Sequence, residues 1–153
     1  MNRLPDRLER ILATLGALDR GDRIEMLVDV ARRFRCVPER IAVRPYPKEY
    51  LVPGCESEAY IWAEPRSDGT LTYHFAVENP QGISAMALAA ILGDSLSGAS
   101  LDEVVAVPAD VVYSIFGREL SMGKSLGLMG MVNLVRTAAR QQLQHQIQKV
   151  GGN

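Results

Sequence analysis

Residues 57–77 read SEAYIWAEPRSDGTLTYHFAV, and this stretch decides the class of fold. Its second half alternates: Leu71, Tyr73, Phe75 and Val77 share one side, while Thr72, His74 and Ala76 share the other. A period of two places successive side chains on opposite faces of a strand. Its first half carries Tyr60, Ile61 and Trp62, residue types that suit a pleated, half-buried surface. Ser67, Asp68 and Gly69 between the halves are turn formers. Residues 57–64 and 70–77 are therefore expected to form an antiparallel hairpin. A lone hairpin is marginal in water, so the flanking chain must cover it.

Toward the N-terminus, Pro38, Pro45, Pro47 and Pro53 forbid a continuous helix over residues 36–54. That segment is expected to be a loop feeding a short third strand near Glu49–Val52. Before it, Leu4, Leu8, Ile11, Leu12 and Leu15 keep helical spacing and predict an amphipathic helix over residues 4–18. Gly21 should break it, and Asp22 with Glu25 should cap a second helix whose buried face is Ile24, Leu27, Val28, Ala31 and Phe34. Toward the C-terminus, Asn79-Pro80 reads as an N-cap and first helical residue. The run ISAMALAAIL that follows is apolar nearly all round and belongs in the core. Ser100 with Glu103 forms a capping box for a short helix to about Ala106; another starts at Pro108 and ends at Gly117. Ser121 precedes a last helix running to about Gln148, with Leu128, Val132, Val135, Ala139 and Leu143 as its buried stripe. Strands grouped between runs of helix argue an α+β fold, a small three-stranded antiparallel sheet with helices on one face.

The chain has 153 residues, 47% apolar and 23% charged, the size and composition of one globular domain spanning 1–153. A formal net charge of −1 gives no overall attraction to nucleic acid or anionic lipid. The longest uncharged stretch, Asn79 to Gly93, is too short to span a bilayer comfortably. Two cysteines and a charged N-terminus without a secretory apolar region point to a reducing, cytoplasmic setting.

Cys55 is the leading candidate for chemistry. It stands in LVPGCES (51–57), where Gly54 permits a sharp turn beside it. Only the thiolate is nucleophilic, and an ordinary cysteine, with a pKa of about 8.5, is mostly protonated at neutral pH. Glu56 and Glu58 flank Cys55, and no Lys, Arg or His adjoins it in sequence. Such a thiol suits a site that a partner completes better than a self-sufficient thiol enzyme. A small buried hydrophobe is the plain alternative.

The run VPGCES (52–57), followed by Tyr60-Ile-Trp62, resembles the V-x-G-C-x-S motif of the SufE family, which carries a sulfur-accepting cysteine. LSMGKSLGL (120–128), with Met131 and Arg136, is similar to the family's L-S/T-P-x-R-x-x-G-L-x-x-M segment, with Met122 in place of Pro and Lys124 in place of Arg. The family's D-S-D run falls on Glu78-Asn79-Pro80, and the Lys-Gly pair that follows it falls on Ala85-Met86. The resemblance implies a SufE/IscU-like fold and a relay. A SufS-type, pyridoxal-phosphate cysteine desulfurase would hand persulfide sulfur to Cys55, and the chain would pass it to a SufBCD-type assembly complex. It implies a co-catalyst that stimulates the desulfurase, with no resident cofactor beyond a transient persulfide. Gly54, Ser57, Glu78 and Lys124 are the expected supporting residues, with Gly54 as a hinge. The alternative is a non-catalytic interaction domain of the same fold in which Cys55 only packs.

Four remaining features have plainer readings. Cys36 ends the second helix as a packing residue, with a resolving cysteine as its functional alternative. Cys36, Cys55, His74 and His145 match no zinc spacing, and two cysteines fall short of the three of an IscU-type cluster scaffold. Arg32, Arg33, Arg35, Arg40, Arg44 and Lys48 form either a solvated surface or a docking patch for an acidic face of the desulfurase. Gly123, Gly127 and Gly130 put small residues on one face of the last helix, where they permit close helix packing.

Overall fold

β1 (Ala59–Pro65) and β2 (Leu71–Val77) pair antiparallel, with Ala59 opposite Val77 and Trp62 opposite His74. The structure, a computed structural model, describes residues 3–151. The turn closes as its residues require. Arg66 N donates to Thr70 O (2.8 Å), Asp68 accepts from Thr70 N (2.9 Å), and Gly69 takes φ +87°, a conformation that favours a residue without Cβ.

The expected third strand does not form: among the described residues the sheet has two strands. Lys48–Tyr50 winds into a single 3₁₀ turn, and only Leu51 reaches the sheet, through an isolated bridge to Tyr60. Pro47 and Pro53 bracket this segment and lack the N–H a ladder needs, leaving too little extended chain for a strand.

The helices are α1 (Asp6–Ala17), α2 (Arg20–Arg32), α3 (Ile83–Leu96), α4 (Leu101–Val105), α5 (Val111–Phe116) and α6 (Met122–Gly151). α3 packs against β2, α1 and α2, and α6 packs against β1, α4 and α5. Leu71, Tyr73, Phe75 and Val77 bury against this layer together with Ala85, Leu88 and Leu92 of α3. Each large apolar side chain so buried contributes roughly 1.5–3 kcal/mol. The all-round apolar character of α3 is thereby explained, since it is the central helix. Leu128, Val132, Val135 and Ala139 are buried along α6, and Leu143 is half-buried where the helix leaves the core.

Helix bounds shift from the sequence reading, most instructively at the starts of α2, α3 and α5 and at the end of α2. α2 begins a turn earlier than expected, because Asp19 caps it by accepting from Asp22 N (2.8 Å), and Gly21 lies inside the first turn. α3 begins at Ile83, not at Pro80: Asn79 Oδ1 accepts from Gln81 N (2.9 Å), folding residues 79–81 into a side-chain-closed turn. α5 starts at Val111 after Asp110, while its expected end at Gly117 (φ +91°) holds. α2 stops at Arg32, so Cys36 lies beyond the helix, exposed, its Sγ 3.3 Å from Tyr46 Oη. Ser100 caps α4 as expected, its Oγ accepting from Glu103 N (3.3 Å), but the reciprocal half of the box differs: Glu103 Oε1 accepts from the Ser100 hydroxyl (2.9 Å).

The second face of the hairpin is covered too, by the proline-rich loop. Val37, Trp62 and Ala76 are buried there among Ile41, Tyr46, Tyr50 and Tyr60. Trp62 sits 5.1 Å from the Tyr46 ring and 5.3 Å from the Tyr50 ring, the spacing of favourable aromatic pairs. Burial pushes the Tyr46 phenol up to about 12, so it stays neutral. Val37 N donates to Phe75 O (2.7 Å). Arg40 grips the Glu64 carboxylate with two nitrogens, and His74 Nε2 lies 3.0 Å from the same carboxylate. Hydrogen bonding from these two side chains, Arg40 first, holds Glu64 at about 2, well below the usual carboxylate range. Arg44 Nε donates to Glu78 Oε1 (2.9 Å).

Candidate functional site

The chain between the Leu51 bridge and β1 is a tight excursion whose base is fixed by backbone bonds. Val52 N donates to Ala59 O (2.8 Å) and Glu58 N to Cys55 O (3.1 Å). The segment after β2 braces it: Glu78 N donates to Glu58 O (3.1 Å) and Asn79 N to Ser57 O (3.2 Å). Two residues turn the chain in the left-handed region. Gly54 does so at φ +68° without steric cost, and Glu58 does so at φ +51°, a conformation L side chains rarely adopt. Pro53 and Gly54 at the tip are exposed, and Cys55 is half-buried.

The loop lies on α6, and the glycine face of that helix receives it. A methyl group added at Gly127 would stand 3.1 Å from Cys55 Cα and 3.5 Å from both its Cβ and Sγ. One at Gly130 would stand 3.1 Å from Val52 Cγ1, and one at Gly123 3.6 Å from Glu56 Oε1. The three glycines therefore serve close packing as expected, though against the cysteine loop. Each costs a helix about 1 kcal/mol relative to alanine, so three in the first nine residues of α6 need a compensating contact. Gly82, just before α3, closes the far side; a methyl there would meet Ser57 Cβ and Val77 Cγ1 at 3.0 Å.

Beside Cys55 a cavity of about 250 Å³ opens, lined in part by Ser57, Asn79, Gln81, Ser84 and Lys124. Lys124, in the first turn of α6, also lines a larger groove of about 770 Å³ between α2, α3 and the α5–α6 connection. That groove carries Arg23 and Arg118 beside Ile24, Phe116 and Leu120, and its one acid, Glu119, pairs with Arg20 (2.8 Å). Among the described residues, no group of three or more His, Cys, Asp or Glu is placed to hold a metal ion, and no helix is long and apolar enough to cross a membrane.

The residues singled out in the sequence are therefore dispersed. Gly54, Cys55, Ser57 and Lys124 meet around the small cavity or its loop. Ser57 is held through its carbonyl, by Asn79 N. Glu78 supports the loop through its backbone, while its carboxylate pairs with Arg44. His74, Arg40 and Arg44 belong to the strap on the outer face. Asn79 is the residue the sequence reading missed: its Nδ2 donates to Glu56 O (3.4 Å), and it lines the cavity. Its position between strand and helix hides that role, since an Asn before Pro reads first as a cap. The glycine spacing 123, 127, 130 was the visible signal for the seat, but it does not say what lies on it.

Comparison with known proteins supplies two findings. The family described as "SufE: Fe-S metabolism associated domain" matches residues 9–139. A solved structure, the solution structure of a hypothetical protein from Thermus thermophilus, superposes with a TM-score of 0.72 at 20% identity, covering 93% of this chain and 99% of that one. It shares the fold. No curated protein matches the sequence.

Proposed function

This chain belongs to the SufE family of Fe-S metabolism associated domains, and from that premise we propose that it is a sulfur acceptor with Cys55 as the carrier. The donor is a SufS-type, pyridoxal-phosphate cysteine desulfurase bearing a persulfide on its own cysteine. The Cys55 thiolate attacks the outer, protonated sulfur of that persulfide. A new S–S bond forms on Cys55, the bond between the two donor sulfurs breaks, and the donor cysteine leaves as a thiolate. The sulfur keeps its proton, one thiolate replaces another, and no external oxidant or reductant is needed. The persulfide on Cys55 then goes to a SufBCD-type assembly complex, in a reducing cytoplasm where disulfides do not accumulate.

One observation carries this reading: Cys55 is half-buried at a loop whose tip is exposed, beside a cavity with room for another sulfur atom. Partial cover suits a persulfide, which is open to reduction and over-oxidation. The neighbouring groove, with Arg23, Arg118 and Lys124 around an apolar floor, is where an acidic, apolar-tipped face of the desulfurase would dock. Arg40 and Arg44 are already engaged with Glu64 and Glu78. Arg118→Glu should therefore slow association with the desulfurase severalfold at low salt and little at high salt, measured by stopped-flow fluorescence.

The decisive experiment incubates the protein with a desulfurase and L-cysteine and weighs the peptides. A gain of one sulfur atom on Cys55, lost together with desulfurase stimulation in Cys55→Ser, is the expected result. Full stimulation without any adduct would instead favour the interaction domain in which Cys55 only packs.

A further inference from the structure

We propose that Gly127 is a positioning residue for sulfur transfer: its missing side chain lets the cysteine loop lie down on α6, and so sets how often Cys55 is presented to a donor. The proposal rests on the reading of Cys55 as acceptor, but its first test does not.

Three helix positions face the loop, and they differ in what a methyl group would meet. At Gly123 it would meet a flexible carboxylate at 3.6 Å, an ordinary contact. At Gly130 it would meet a side-chain methyl of Val52 at 3.1 Å. At Gly127 it would meet Cys55 Cα at 3.1 Å, with Cβ and Sγ behind it at 3.5 Å. Carbon atoms pack best at about 3.5–4.0 Å. A side chain relieves such a contact by rotating, but a backbone carbon can only move with its chain. α6 is continuous helix at this point, and Gly127 is buried, so the helix is the fixed partner. The loop is the partner that yields. Its tip residues Pro53 and Gly54 are exposed; Glu58 N holds Cys55 O within the loop itself (3.1 Å), and beyond α6 the segment is held by Asn79, through its backbone N to Ser57 O (3.2 Å) and its Nδ2 to Glu56 O (3.4 Å).

A two-state picture follows, in which the loop is seated on α6 or lifted from it. Gly127→Ala raises the free energy of the seated state while leaving the lifted state alone. All three Gly→Ala changes favour the helix itself about equally. The contrast between positions 127 and 123 therefore isolates the seat from helix stability.

The test is iodoacetamide alkylation of the full-length folded protein, followed peptide by peptide. Cys36, exposed beside Tyr46, is the internal reference. Gly127→Ala should raise the Cys55 rate about tenfold, the size of change a lost close-packed contact gives a two-state equilibrium. Gly123→Ala should stay within about twofold of the parent, since its contact is not strained. An unchanged Cys55 rate in Gly127→Ala, or a Cys36 rate rising in parallel, overturns the proposal. If Gly127→Ala fails to fold, Asn79→Ala decides. Loosening the other hold should raise the same rate, and no rise overturns the seated-and-lifted picture. With a desulfurase present, the half-saturating concentration of Gly127→Ala should fall below that of the parent, because the competent conformer is more populated. Absence of any sulfur adduct on the parent Cys55 would end the acceptor reading and leave the alkylation contrast standing.

Discussion

Two loops flank the hairpin, and they are fastened in opposite ways. Residues 33–50 cover the outer face mainly through side chains, an aromatic cluster around Trp62 and two arginine–carboxylate pairs, with one backbone bond from Val37 N to Phe75 O. Residues 52–58 are fastened by backbone bonds at their base, lie against the glycine face of α6 and are held on the other side by Asn79, whose Nδ2 donates to Glu56 O (3.4 Å). A loop built into the core through aromatic rings comes away only at the cost of the core. A loop that lies on glycine makes close contact over a small area, and it can leave without unfolding anything else. Under the proposed function, this difference lets the outer side of the small sheet stay covered while the other side presents Cys55.

The contrast is open to attack at three places. The largest effect belongs to Trp62→Ala, which empties the centre of the outer cluster. It should cost about 3–5 kcal/mol in urea denaturation, while Cys55 alkylation in the folded fraction stays at the parent rate. A faster Cys55 would show that the two loops are coupled. Gly54→Pro acts on the tip. Gly54 has φ +68° and proline is locked near −65°, so the turn must distort, at a cost of about 1 kcal/mol or more. Sulfur transfer from the desulfurase should fall severalfold with the fold retained; undiminished transfer would remove Gly54 as a hinge. The smallest effect is that of Glu64→Gln on the strap. Glu64 is held at about 2 in the folded chain, below its ordinary value. Its stabilising contribution is thus complete above the ordinary carboxylate range, near pH 4.5, and is lost as the pH falls through about 2. The parent should melt above Glu64→Gln at pH 6, and the two curves should converge toward pH 2. A gap that persists at pH 2 would mean the Arg40 and His74 contacts do not act through charge.

Local chemistry was legible wherever neighbours in sequence settle the conformation. The hairpin turn at Ser67–Gly69, the Ser100 cap of α4, and the α6 stripe from Leu128 to Ala139 formed as read, because each depends on residues close along the chain, while Leu143 at the end of that stripe is only half-buried. The failures came where two local signals competed. Asp19 and Asp22 both precede the second apolar run, and the earlier one caps it. Asn79 closes its own turn before α3 can begin. The third strand was lost because Pro47 and Pro53 leave only Leu51 in ladder position.

The sequence by itself determined the α+β order of elements and most of the core, and it singled out Cys55 as the candidate for chemistry, since periodicity, capping and a short motif are properties of adjacent residues; on α2 it misplaced the buried face, where Leu27, Val30 and Ala31 are buried and Ile24 is exposed. Tertiary structure alone decided that the proline-rich loop wraps Trp62, that Arg40 and Arg44 pair with Glu64 and Glu78, and that Gly127 and Asn79 lie against the cysteine loop from two sides. Those pairs lie far apart along the chain, and the close approach of two backbones leaves no mark on either sequence segment taken alone.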